Sequence, residues 1–188
     1  MIRRAALLVC FAASCVAPTT SPYKAAEPEQ RDPSLASALS AEAAALIESE
    51  PEQAEAMLRD ALEADIFCGA AHNNLGVLFL SQERFYDAAS EFEWARKLMP
   101  GHPDPRVNLA ITLDRAGMGG DAKDAYNAAL EVEPGYMPAI QGLARLQLRR
   151  GELDAALPGW LQRIAFEGET EQWRDWARRE LVLLDETP

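Results

Sequence analysis

The strongest constraint on this chain is that it repeats itself every 34 residues. Counting from Gly69, Pro103 and Met137, the seventh residues are Leu75, Leu109 and Leu143, and the eighth are Gly76, Ala110 and Ala144. The twentieth are Ala88, Ala122 and Ala156, the twenty-fourth Phe92, Tyr126 and Trp160, and the thirty-second Pro100, Pro134 and Gly168. A fixed period of this size marks stacked units, none of which can bury its apolar face alone. Within each unit apolar residues recur at three- and four-residue spacing, and glycines or prolines fall between the blocks. Each unit is therefore read as a pair of helices, and the chain as all-α.

The repeated positions explain one another. Gly76 sits inside the apolar run HNNLGVLF, where glycine costs about 1 kcal/mol relative to alanine in a helix. Its counterparts are alanines, so smallness is what the site requires. A small eighth residue lets two antiparallel helices approach, with the small twentieth residue expected to meet it. The aromatic at position 24 fills the space beside them. Proline at position 32 stops the second helix, because it has no amide donor and its ring clashes with the preceding turn.

These residues resemble the tetratricopeptide repeat. The unit 69–102 matches its pattern at Leu75, Gly76, Phe79, Ala88, Phe92, Ala95 and Pro100. The unit 103–136 follows closely, with Leu113 and Ala129. The unit 137–170 is divergent: Arg163 replaces a small residue, Gly168 replaces proline, and Pro158-Gly159 is expected to kink or break the second helix. A degenerate unit, 35–68, keeps Ala54, Leu58 and Ala61 but has Glu42 at position eight; Pro51 suits the first turn of its second helix. The segment 171–188 closes the array. Thr170 is its expected cap, and Trp173, Trp176, Ala177, Leu181 and Leu184 share one face. The resemblance implies an α-solenoid of antiparallel hairpins, about four units plus a C-terminal capping helix.

The first residues read MIRRAALLVCFAASCVAP. Arg3 and Arg4, then a short apolar run, then small residues form the layout of a secretory signal peptide over 1–14. The run is shorter than the roughly 20 residues of a spanning helix. Ala12 to Cys15 resembles the lipobox of bacterial lipoproteins, with Ala12 where leucine is usual. That resemblance implies lipidation at Cys15 and an exported chain held at the membrane through its N-terminus. Val16 after the cysteine resembles an outer-membrane address facing the periplasm. Cleavage without lipid, giving a soluble periplasmic protein, is the alternative. Residues 15–34 are rich in proline and small polar residues and are read as a tether, roughly 25 Å long as a coil and roughly 60 Å if stretched.

The charge of −12 disfavours nucleic acid as a partner, and removal of 1–14 would take it to −14. With Cys10 removed and Cys15 modified, Cys68 alone cannot form an internal disulfide. Cys68 and His72 lie four apart, but no second pair completes a tetrahedral metal site, and neither metal nor cofactor is expected. GMGGD, from Gly117 to Asp121, reads as a turn and not a phosphate loop. No convergent reactive residues suggest an enzyme or a small-molecule substrate. His72 is read as a residue of the concave face.

In tetratricopeptide repeats the first helices of successive units line a concave groove. The resemblance places Leu39, Ala43, Asn73, Val77, Leu80, Val107 and Ile111 along its early half. Its late half takes Arg115, Gln141, Arg145, Leu148 and Arg149. An apolar floor ending in guanidiniums suits a peptide with apolar anchors and a carboxylate; alternatively Asp104 and Asp114 neutralise those arginines. Of the clamp that some relatives use for C-terminal carboxylates, only Asn108 is present, with Val77, Pro138 and Gly142 at other clamp positions. The expected role is a non-enzymatic adaptor for a protein or peptide partner. The alternative is a soluble subunit that binds through its convex face or capping helix.

Overall fold

The structure is a computed structural model that describes residues 30–185. The expected signal peptide, Cys15 and most of the tether lie outside the described residues. Among those described there are nine helices and no strand: α1 (Pro33–Leu46), α2 (Pro51–Ala64), α3 (Gly69–Ser81), α4 (Phe85–Leu98), α5 (Asp104–Arg115), α6 (Gly119–Val132), α7 (Met137–Arg150), α8 (Leu157–Glu167) and α9 (Glu171–Asp185). None of them is long and apolar enough to cross a membrane. Successive helices pack as hairpins, and α1, α3, α5 and α7 also touch in series, so the molecule is an α-solenoid.

Helix starts follow local chemistry. The Asp32 carboxylate accepts the Leu35 amide at 2.9 Å and caps α1. Thr170 Oγ1 accepts the Trp173 amide at 3.3 Å at the start of α9. Pro51 opens α2, where its missing N–H is no loss. The ends of α3, α5 and α7 are the same motif three times. The amides of Glu83, Gly117 and Gly151 bond back to Leu80, Asp114 and Leu148, and those of Arg84, Met118 and Glu152 to Phe79, Leu113 and Gln147. This is a Schellman closure, whose pivot residue is left-handed. Its φ is 60° at Glu83, 81° at Gly117 and 68° at Gly151. Only the first copy lacks glycine. Glu83→Gly is therefore expected to stabilise the protein by about 0.5–1 kcal/mol, the left-handed penalty outweighing glycine's added chain entropy. Denaturant titration checks it, with Gly117→Ala moving the midpoint the opposite way.

The core runs along the axis in three joined clusters. Ala54, Leu58, Ala61, Leu75, Ala88, Phe92 and Ala95 are fully buried, as are Ala110, Ala122, Ala129, Leu143 and Ala144; Leu109 and Tyr126 are nearly so. The partner of Gly76 differs from the expected one. An ideal Cβ on Gly76 would stand 2.6 Å from Phe92 Cε1, so the ring at position 24, and not the small residue at position 20, demands glycine. Tyr126 uses its ring differently, covering Gly142 of the following unit.

The fourth hairpin, α7–α8, departs from expectation. Pro158-Gly159 neither kinks nor breaks a helix, because α8 begins only at Leu157 and Pro158 occupies its first turn. Residues 151–156 are all exposed, and Ala156 with them, so it does not pack as the position-20 residue. Leu157, Leu161 and Ile164 fill that place. The loop is tied down by Asp154, whose carboxylate accepts from Gln147 Nε2 and from the Ala156 amide.

His72 is also not on the concave face. It is fully buried, stacked on Trp94 with ring centroids 5.7 Å apart. Its Nδ1 lies 2.6 Å from Glu91 Oε2 and its Nε2 lies 2.9 Å from the Ile66 carbonyl oxygen. A carbonyl only accepts, so Nε2 is the donor to Ile66, and Nδ1 faces the carboxylate. The pair joins α3 to α4 and to the turn after α2.

Candidate functional site: the row of first helices

The faces of α1, α3, α5 and α7 that sequence reasoning assigned to a groove divide into a seam and an open surface. Position five is buried in the seam in the last two units. Val107 is 5% exposed and packs with Tyr126, Ala139 and Leu143; Gln141 is 4% exposed. Both are corrections to the expected lining, since they face the neighbouring first helix. Ala43 is likewise buried in the core. Upstream the seam is polar. Asn74 Nδ2 donates to the Ser40 carbonyl oxygen and Oγ at 3.1 Å, and Asn108 Nδ2 donates to Asn73 Oδ1 at 3.0 Å. At α7 the succession stops, because Gly142 has no side chain and Tyr126 occupies its place. Gln141 Nε2 is buried there without a hydrogen-bond partner among the described residues.

Leu39, Asn73, Val77, Leu80, Ile111 and Leu148 are half-buried, while Arg115, Arg145 and Arg149 are exposed. The arginines differ in their partners. Arg149 pairs with Asp114 across α5 and α7. Arg145 has no ion pair among the described residues and lies over the Trp173 ring, 5.7 Å from its centroid. Asp104, the other expected neutraliser, instead accepts from the Tyr136 hydroxyl. Neutralisation is thus real for one arginine only. No group of three or more potential metal-ligating side chains occurs among the described residues.

The charges above the seam reach Tyr126. Burial, then the charge of Asp114, push its hydroxyl up to about 12, with Arg145 and Arg149 pulling the other way. A phenol titrates near 10 when unfolded. The fold therefore keeps the protonated form, and this contribution is complete below pH 10 and lost as pH rises toward 12. About 2 kcal/mol should disappear on that limb. Chemical denaturation at pH 9 and 11.5 checks it, with Tyr126→Phe flattening the difference.

Position nine was only partly legible from the sequence. It reads Ala43, Val77, Ile111 and Arg145 through the four units, and 34 residues further on falls Arg179 of α9. The 34-residue period therefore runs on into the segment 171–188, which is also the cap of the array. The α9 helix adds Trp173 and Trp176, set edge to face with centroids 5.2 Å apart.

Comparisons agree with this architecture. The family model described as protein kinase G tetratricopeptide repeat matches residues 16–165. The solved structure of Pseudomonas aeruginosa pilF aligns with a TM-score of 0.72 at 23% identity, over 82% of this chain and 71% of that one. Yeast Tom70 aligns with a TM-score of 0.70 at 17% identity, over 82% of this chain and 34% of that one. The first tetratricopeptide repeat domain of Spaghetti (RPAP3), bound to the HSP90 peptide SRMEEVD, aligns with a TM-score of 0.60 at 17% identity, over 65% of this chain and 98% of that one. At these identities the likeness concerns the fold. No curated protein sequence matches the chain significantly. With the 34-residue period, the repeated helix closures and a family match over most of its length, this chain belongs to the protein kinase G tetratricopeptide repeat family, a fold of protein–protein interaction.

Proposed function

We propose that the protein is a non-enzymatic adaptor, held at a membrane by a lipid on Cys15 and facing the periplasm, where it assists assembly of an envelope, pilus or secretion complex. The observation that carries the binding role is the graded first-helix surface, which passes from half-buried Val77 and Ile111 to exposed Arg145 in a chain of net charge −12. Such a surface suits an extended peptide with apolar anchors at one end and carboxylates at the other. Peptide binding by a relative, Spaghetti with SRMEEVD, supports that class of partner. The lipid anchor rests on the order of Arg3-Arg4, the apolar run and Ala12-Ala13-Ser14-Cys15.

Two experiments test the reading. Intact mass of the mature chain should show an acylated Cys15 as its first residue; an unmodified terminus removes the anchor. Affinity capture from envelope extract with Arg145→Glu/Arg149→Glu should lose the partner recovered by the parent protein, and unchanged recovery removes the groove. A second reading, a soluble subunit docking through its last helix, draws on Val182 and Leu183, each 57% exposed on α9.

A further inference from the structure

The first helices α1, α3, α5 and α7 touch in series, whereas α7 and α9 do not pack closely against each other. A pocket of about 370 Å3 opens between them, lined by Arg145, Gln172, Trp173, Trp176 and Arg179. That size falls in the range of about 300–1,000 Å3 common for ligand sites. No carboxylate lines it. In this it departs from the chain as a whole, where 30 acidic residues outnumber 18 basic ones. The other arginines of α9 are occupied: Arg174 pairs with Glu171, and Arg178 with Glu171 and Asp175. Arg145 and Arg179 form no ion pair among the described residues.

We infer that this pocket is a binding site for an acidic peptide segment, taking one large apolar or aromatic side chain against Trp173 and Trp176 and a neighbouring carboxylate between Arg145 and Arg179. The inference deepens the groove reading above and rests on it for the course of the rest of the peptide. Three features support it. The two arginines fall one 34-residue period apart, Arg145 on α7 and Arg179 on α9, and both line the pocket. The edge-to-face indoles present apolar walls, and an arginine already held over one of them is placed to receive an anion. The polar groups are almost all donors, the Gln172 amide oxygen being the one side-chain acceptor. A carboxylate needs only donors, whereas a sugar's hydroxyl groups need acceptors as well. Peptide is therefore favoured over glycan.

The test uses the purified chain and three fluorescein-labelled peptides, read by anisotropy: GSDFEDGS, GSDGEDGS and GSKFKKGS. The first should bind, at least tenfold more tightly than the other two, and weaken as salt rises. Arg179→Ala, an exposed change that circular dichroism should show to be folded, should raise its Kd at least tenfold, as should Arg145→Ala. Trp173→Ala should do the same. Equal binding of the three peptides, or unchanged binding by Arg179→Ala, overturns the inference, and so does preferential binding of a glucuronate-containing oligosaccharide over all three. The groove reading fails separately. Val77→Glu and Ile111→Glu lie outside the pocket and should spare the short probe but abolish recovery of the envelope partner. If recovery survives them while the probe still depends on Arg179, the pocket stands and the groove falls.

Discussion

Gly76→Leu should cost at least about 3 kcal/mol and lower the melting temperature by roughly 10 °C. Two effects oppose each other at this residue, and their sizes decide the outcome. Any side chain gains helix propensity over glycine, by up to about 1 kcal/mol. Against that, even the first added carbon would stand 2.6–2.9 Å from three atoms of the Phe92 ring, which is itself fully buried and cannot swing away. Forcing atoms into such a core costs about 1–3 kcal/mol for small insertions and more for large ones. Gly76→Ala should therefore be mildly destabilising, and Gly76→Leu severely so. The diagnostic experiment is the double variant Gly76→Ala/Phe92→Leu, followed by denaturant titration. If the ring is the obstacle, shortening it makes the added methyl harmless. If the double variant merely sums the two losses, the ring is not the reason for glycine.

The second large effect is at Glu91. Glu91→Ala should destabilise by about 3 kcal/mol, because it removes a carboxylate 2.6 Å from a fully buried imidazole. The loss reflects a polar ring left facing apolar space more than the worth of the bond. Replacing both partners by apolar residues of similar volume, His72→Phe/Glu91→Leu, should recover most of the stability. Glu91→Gln should fall between, since an amide can still serve one side of the contact. Thermal melts of the four proteins separate these cases. A double variant no better than Glu91→Ala would mean that the pair itself, not its desolvation, supports the fold.

These residues also show what was readable beforehand. Helices, hairpins and period came through because smallness and size alternate at fixed intervals, and such patterns survive without coordinates. Which residue meets which did not. The repeat pattern pairs Gly76 with Ala88, whereas the Phe92 ring is what lies against it, and nothing in a linear string reports the tilt of an aromatic side chain. His72 carried no signal separating an open face from the interior, since its partner Glu91 is nineteen residues away on another helix. Val107 and Gln141 leave the expected groove because position five turns into the seam where these first helices nest. Pro158 looked like a breaker, but a proline at a first turn is benign, and only the late start of α8 shows which case applies. On the candidate site, the three arginines of the late half were visible, and the pairing of Arg149 with Asp114 was one of two open possibilities. Arg179 required extending the period beyond the last full hairpin.

The exposed stretch 151–156 between α7 and α8 has a mechanical consequence. In a one-dimensional stack each unit is braced only by its neighbours, so cooperativity weakens wherever a link is long. The link from α7 to α8 keeps the same helix closure but runs on as a six-residue irregular span, where α3–α4 and α5–α6 are joined by 82–84 and 116–118. Amide protection should accordingly decay toward the C-terminal end, with α8 and α9 opening at a lower free energy than α3 and α4. Anything that grips α7 and α9 together would act as a clasp on that end.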